Sequence, residues 1–585
     1  MHSSIEEEKN ITLKEKLHAW ATEYNIAQRS LTALLHILNE EGHDELPHDA
    51  RTLMNTPKET IIRECGTGHY FHYGLETALQ QQLKYFTNIN NIENIEININ
   101  IDGLPLAKSS QSQLWPILGQ MCNIGITEPF LIGAYHGYTK PANAQDLLKD
   151  FCEEYYTLHT KGFSYGNKNY FVTIRAVICD VPAKSFVTGT KGHNGRFGCG
   201  KCFCEGDYYD HRIVFLNENA LLRTNSNFRK RENEKHHISV SPFEILSDID
   251  MINNFPLDYM HLVCLGVTKK LIHLWIKGHH IPRLRAMDIN ALSRDIIMLH
   301  KCIPIEFARH TRGINEVDRW KATEFRLFLL YLGPIVLEKY LHKDYLKHFY
   351  VFHTAIRILC HPEDCLYNNI YANELLTYFV KIFKVLYGET NLVFNVHNLI
   401  HICQDVKMYG PLDTFSAFPF ENYLKTLKRM LRKSEKPLSQ LNNRFHEYTT
   451  RYTTNMKNCN IDEPLFLKPD GKNLPLKCTY SHKQIKFKYF MLTAKSPDNC
   501  CYLKDGSVFR IKYIGYKDKV RVVLGNKYID LQPILTCPCN SQNMNIHMSN
   551  GQIQDLQIVP ITQIATKGFE IFYNEMYYVM PLLHF

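Results

Sequence analysis

The chain has 585 residues, 45% hydrophobic and 22% charged, with 67 Lys+Arg against 59 Asp+Glu for a net charge of +8. That length exceeds what one core supports, so roughly two to four domains are expected, with ample core-forming capacity and only a mild bias toward acidic partners such as nucleic acid. The start MHSSIEEEKN is acidic and polar, unlike a signal peptide, and the longest apolar stretch, near residues 327–337, is too short for a bilayer and contains Gly333-Pro334.

A soluble, intracellular protein is therefore expected, its 18 cysteines serving as thiols, core residues and metal ligands rather than disulfides. Residues 1–90 read as a helical region. Leu31, Leu34, Leu35 and Leu38 fall at i, i+3, i+4 and i+7, with Gly42 as the stop, and LETALQQQLKYF gives another amphipathic helix. Residues 91–204 change period. Ile95, Ile97, Ile99 and Ile101 alternate with polar residues in a strand that ends on Asp102-Gly103, although Asn98 and Asn100 are unusual in a strand covered on both faces. Strands QLWPILGQMC and FLIGAYHGYT follow, then a helix over 146–162 closed by Gly162. The apolar run Tyr170–Cys179 reads as a strand buried on both faces. It ends on Asp180, and Pro182 forbids further ladder pairing. Three strands, a helix and a buried strand predict an α/β core. Residues 205–395 read as an all-helical insertion, 396–455 as the return to the core, and 460–585 as a small β domain of short strands between Asp, Gly, Asn and Pro turns.

Three carboxylates stand at element ends: Asp102, Asp180 and Glu421. Convergent carboxylates are what a protein uses to hold two divalent metals for phosphodiester chemistry. Asp before Gly, Asp two residues before Pro and Glu at a helix start are also ordinary turn and dipole residues. Cys199-Gly-Lys-Cys202 has the spacing of half a tetrahedral zinc site. His397 and His401, four apart on a helix, present both imidazoles on one face, and together the four residues complete a Cys2His2 set. Asp258 and His261 sit in an apolar segment, where a structural pair is the first expectation and a catalytic or DNA-positioning role the second. Lys425, Lys428 and Arg432 follow Glu421 at i+4, i+7 and i+11, a basic stripe that suits either a DNA backbone or a solvated face. The basic segment 227–237 reads as a solvated loop or a flexible DNA contact.

DGLPL, the block CDVPAKSFVTGTKGHNGRFGCGKC, LDYMHLVCLGV and NLIHICQDVKMYGPLDTFSAFPFENYLKTLKR resemble transposases of the CACTA (En/Spm-like) group of DNA transposons, from about residue 15 onward and most strongly over 95–450. The resemblance implies an RNase H-like fold whose DDE triad, Asp102, Asp180 and Glu421, is split by a helical insertion and holds two Mg²⁺ or Mn²⁺ ions. It also implies that Asp258 and His261 form the Asp-x-x-His element of such enzymes. The catalytic subunit of the V(D)J recombinase is similar in layout, which supports Cys199, Cys202, His397 and His401 as a structural zinc set. The implied protein is a nuclear, metal-dependent transposase that cuts and joins DNA as a homo-oligomer, with no membrane partner. The alternatives are a domesticated relative that binds or scaffolds DNA without strand transfer, and a nuclease that does not transpose.

Overall fold

The computed structural model describes residues 11–86, 89, 91–125, 127–278, 282–449, 463–471 and 473–583. The acidic segment 1–10 and the boundary around 450–462 lie outside the described residues. The fold is mixed α/β, with many helices and a C-terminal β region. The chain forms two compact units, each built from separated segments.

The first unit comprises residues 1–190, 238–255 and 418–459. Its helix Gln28–Glu40 buries Leu31 and Leu35 against Ala21, Leu46, Ala50 and Leu53, and Gly42 at φ +93° ends it as the sequence predicts. One element departs from the helical expectation for residues 1–90. A hairpin, β1 (Ile62–Cys65) and β2 (Gly68–His72), turns at Gly66-Thr67, where Gly66 takes the positive φ that a tight hairpin turn requires.

The hairpin joins a sheet with β3 (Asn94–Ile101), β4 (Leu104–Pro105), β5 (Gln113–Met121), β6 (Phe130–Gly137), β7 (Phe163–Tyr165) and β8 (Lys168–Ile178). Its main order is β1-β2-β6-β5-β3-β8-β7. Strands β3, β5 and β6 form an antiparallel meander. Helix Ala144–Thr160 then carries the chain across, so that β8 lies parallel to β3. Asn143 caps this helix through Asp146 N at 2.7 Å, and Gly162 at φ +71° follows its end. Strand β8 alternates in burial until Ala176, and only its last residues are covered on both faces. Its outer edge is covered by the returning segment, where Val177 N donates to Asn254 O at 2.7 Å. In β3 the four isoleucines are fully buried, and so are the awkward asparagines. Asn100 Nδ2 reaches Ile178 O at 2.8 Å, which offsets its desolvation.

The second unit comprises residues 191–237, 256–417 and 460–585. The boundaries expected at 204/205 and 395/396 therefore fall inside it, and the stretch expected to be all-helical opens with a short hairpin, Asp207–Tyr209 paired with Arg212–Val214. Its long helices Lys343–Cys360 and Asn369–Tyr387 pack face to face, His348 stacking on Phe379 at 4.1 Å. Pro334 sits within a helical run, lacking an N–H for the carbonyl of Leu330 four residues back. The helix widens to π-type turns over Phe328–Leu332, and Arg357 Nη1 donates to that orphaned Leu330 carbonyl at 3.0 Å.

The C-terminal strands form one large sheet from Leu465–Pro469 to Met576–Pro581, around a core of Ile485, Leu492, Phe509, Ile511 and Val523. It shares the second unit with the helices. Arg357 Nη2 donates to Pro581 O at 2.9 Å, Arg326 Nη2 to Leu583 O at 3.0 Å, and fully buried Lys567 reaches Glu306 and Asp498 at 2.6 Å each.

Candidate metal centres

The CxxC loop and the two histidines, nearly two hundred residues apart in sequence, meet inside the second unit. Cys199 and Cys202 Sγ are 3.5 Å apart, Cys202 Sγ is 3.3 Å from His397 Nε2, and Cys199 Sγ is 3.8 Å from His401 Nε2. A tetrahedral ion with Zn–S of about 2.3 Å and Zn–N of about 2.0 Å sets S···S near ~3.8 Å and S···N near ~3.5 Å. The four ligand atoms all lie within 4.8 Å of one another and all four residues are buried. Among the described residues this is the one group of three or more such side chains that converges so closely. The buried Cys2His2 cluster can bind a metal such as zinc.

The histidine pair is held by more than helical spacing. His397 lies within the short helix Phe394–Asn398, a tighter turn carries His401, and His397 stacks on Phe215 at 5.4 Å. Burial opposes ionisation of Cys199, but hydrogen bonds from Cys202, His397 and His401 outweigh it, so its thiol sits well below the usual range. Burial likewise disfavours the charged His397, yet the neighbouring Cys199 raises it overall. Without an ion the cluster favours a thiolate at Cys199 alone, since hydrogen bonds with Cys199 and Cys204 push the Cys202 thiol up; a bound cation would favour the thiolate at both.

Further residues hold the loop, and the sequence reading missed them. Lys201, inside the CxxC, forms a buried ion pair with Asp405 at 2.7 Å, and Asp405 also accepts from Leu257 N at 2.8 Å. Arg223 Nε donates to Cys199 O at 3.0 Å while its guanidinium covers the Phe203 ring. A signal existed: His397, His401 and Asp405 repeat at i, i+4 and i+8 on one helical path.

The acids belong to the first unit. Asn100 pairs with Ile178 in the parallel ladder, so Asp102 and Asp180, each two residues further on, emerge level at the same ends of neighbouring strands. Both flank buried Cys179, whose thiol burial pushes up, with the charges of the two aspartates adding to the effect. Each also has a local role. Asp180 Oδ1 caps helix Val181–Thr188 through Ala183 N at 2.7 Å, and Asp102 Oδ1 accepts from Gly103 N at 2.7 Å. Glu421 is exposed in the first turn of helix Phe418–Met430, which buries Phe420, Leu424, Leu427 and Met430. Lys428 Nζ ties that helix to β4, donating to Pro105 O at 2.7 Å, just past Asp102.

The basic stripe differs from its expected form. The helix ends at Met430, so Arg432 leaves the face shared by Glu421, Lys425 and Lys428. Its guanidinium instead donates to the carbonyls of Asn25 and Ile26 at 3.0 Å. Lys425 and Arg429 are exposed. Asp258 and His261 form a close pair, Oδ2 to Nδ1 at 2.6 Å, and Asp258 Oδ1 accepts from Ala417 N at 2.7 Å. That is the structural pair expected first. Segment 227–237 is folded rather than a loose loop: Asn225–Arg229 is helical, and buried His236 meets Phe197 O at 2.6 Å.

Residues 467–582, most of the C-terminal sheet, match a family model described as Domain of unknown function (DUF8592). No curated protein sequence matches the chain.

Proposed function

We propose that the protein is a DDE-type DNA transposase with an RNase H-like core, in which Asp102, Asp180 and Glu421 form the active site. The observation that carries this reading is the level emergence of Asp102 and Asp180 from adjacent parallel strands. The strand order, an antiparallel meander and then a helix crossover to a strand parallel to the first, supports the RNase H-like reading. The Lys428–Pro105 bond supports a place for Glu421 beside the same strand ends.

The donor set is all carboxylate oxygen, which suits Mg²⁺ or Mn²⁺. The three acids do not close as tightly as the Cys2His2 set. A two-ion site spreads its ligands over centres about 4 Å apart, so the looser arrangement is compatible. Bound ions would activate the attacking hydroxyl and offset charge on the leaving oxygen. Exposed Lys425 and Arg429 would hold DNA phosphates without reading sequence. Water as nucleophile nicks the element's end, and the resulting 3′-hydroxyl as nucleophile joins it to target DNA. Zinc at Cys199, Cys202, His397 and His401 would be structural, because protein fills all four positions. Work on DNA implies the nucleus, and pairing two ends implies a homo-oligomer.

Supercoiled-plasmid nicking in Mg²⁺ or Mn²⁺ tests the assignment. Wild type should nick, whereas Asp180→Asn and Glu421→Gln should not. Equal nicking by all three would reject the triad. A second reading draws on the capping bond of Asp180: a domesticated derivative that binds DNA and retains the aspartate for its fold. Tight DNA binding with no nicking by folded wild type would favour it.

A further inference from the structure

The second unit has another concave surface, unused by any of this chemistry. A cavity of about 1020 Å³ is lined by helix Lys269–Lys277, by the strand Arg212–Val214 and by residues flanking Asn391. Leu265, Leu386 and Val393 give it apolar lining, and Arg212, Lys269 and Lys270 give it charge. The crowding follows from helical spacing. Lys269, Lys270, His273 and Lys277 fall at i, i+1, i+4 and i+8, one face of the helix.

Of the two basic groups furthest along this face, burial lowers His273 toward its neutral form, and Lys277 is compensated. His273 and Lys277 share Asp318, the histidine at 3.3 Å. The other three are not so paired. Lys270 Nζ donates only to the neutral Oδ1 of Asn391, at 3.0 Å, and among the described residues no carboxylate pairs with Arg212, Lys269 or Lys270. The one acid in the lining, Asp210, is exposed. Burial, and then the neighbouring Arg212, pull the Lys270 ammonium down to about 8. Three like charges thus line one recess without a direct carboxylate partner, Asp210 being the one acid in the lining and Asp318 acting on Lys269 from beyond it, a repulsion that a bound anion would reduce.

We propose that this cavity binds a small polyphosphorylated ligand, with phosphates on Arg212, Lys269 and Lys270 and an organic scaffold against Leu265, Leu386 and Val393. The volume is of the size class of small-molecule sites, about 300–1,000 Å³. Guanidinium and ammonium groups together are the usual phosphate donors. Duplex DNA carries its phosphates on a convex surface and would touch only the rim.

The test is calorimetric titration of the full-length protein, at near-physiological salt, with inositol hexakisphosphate, adenosine triphosphate and inorganic phosphate. At least one polyphosphate should bind at a single site, at least about tenfold tighter than inorganic phosphate, since multidentate charge-assisted bonds reinforce one another. Tighter hexakisphosphate would identify a phosphorylated ring as the source, and tighter triphosphate a nucleotide. The Lys269→Gln/Lys270→Gln double variant and, separately, Arg212→Gln should each lose about tenfold or more in affinity. Exposed Lys149→Gln, on the crossover helix, should lose nothing. No polyphosphate binding by folded wild type would overturn the proposal. So would unchanged binding by the cavity variants, or an equal loss in Lys149→Gln.

Discussion

Asp180 caps a helix and is proposed to hold a metal, and one substitution can separate the two roles. Asparagine caps a helix about as well as aspartate, so Asp180→Asn should leave the bond to Ala183 N and the melting temperature nearly unchanged while removing the charge proposed to hold a metal. Asp180→Ala should lose the cap as well, at about 1 kcal/mol. Comparing thermal melts and nicking for the two tests this. A large drop in stability for Asp180→Asn would show that the carboxylate charge itself holds the fold. Lys201 is the opposite case. Its replacement by Met would leave Asp405 buried without a counter-ion, which costs about 3–5 kcal/mol, so the melting temperature should fall well below that of wild type. A variant as stable as wild type would mean that Leu257 N satisfies Asp405 alone. The residue types at the zinc set and at the strand-end acids were legible in the sequence. Lys201 and Arg432 were not, because a basic side chain carries no mark of which distant carboxylate or carbonyl it will meet.

At the scale of elements, helix Lys343–Cys360 carries two buried neutral histidines. Burial lowers His348 to about 4, and burial together with Arg357 lowers His353 to about 3. Unfolding exposes both, and each then takes a proton below its ordinary pKa of about 6.5. The unfolded state therefore binds more protons between about pH 6.5 and 4, and stability is full above that window and declines as pH falls through it. Each histidine should contribute a slope approaching about 1.4 kcal/mol per pH unit. Denaturant melts from pH 7.5 to 5 on wild type and His353→Gln should show a smaller slope in the variant, and equal slopes would refute the assignment. The helix itself was legible from its periodicity. The π-type turns at Phe328–Leu332 were not, since the carbonyls freed beside Pro334 are met by side chains of another helix, Arg357 at Leu330 O and His353 at Leu329 O.

For the whole molecule, the order of segments matters more than their number. The second unit is assembled from three stretches of chain, and the metal ligands come from two of them. If the cluster holds a structural ion, as proposed, removing it with a chelator, or substituting Cys199→Ser, should lower the melting temperature and loosen this unit rather than change chemistry alone. Metal analysis with a thermal melt checks it, and a metal-free protein of unchanged stability would refute a structural metal. The third stretch supplies the C-terminal sheet, whose carbonyls at Pro581 and Leu583 accept from buried Arg357 and Arg326. Truncation after residue 459 should leave those guanidiniums short of acceptors and yield a protease-sensitive remnant. A cooperative melt of the truncated chain would show the sheet to be dispensable.

Periodicity and punctuation alone determined the alternating β3, the crossover helix closed at Gly162, the long helices Lys343–Cys360 and Asn369–Tyr387 and the run of C-terminal strands, because each is fixed by neighbours a few residues away. They also marked Asp102, Asp180 and the Cys2His2 set as candidates by residue type and spacing. Only the tertiary structure decided that Asp102 and Asp180 stand level, since register between strands separated by about seventy residues of chain depends on packing rather than on local pattern. It alone closed Cys199, Cys202, His397 and His401 to metal-binding distances, and it alone gathered Arg212, Lys269 and Lys270 around one cavity. Side-chain identity is written residue by residue, but a site forms where the lowest-energy packing brings distant residues together, and that packing is a property of the whole chain.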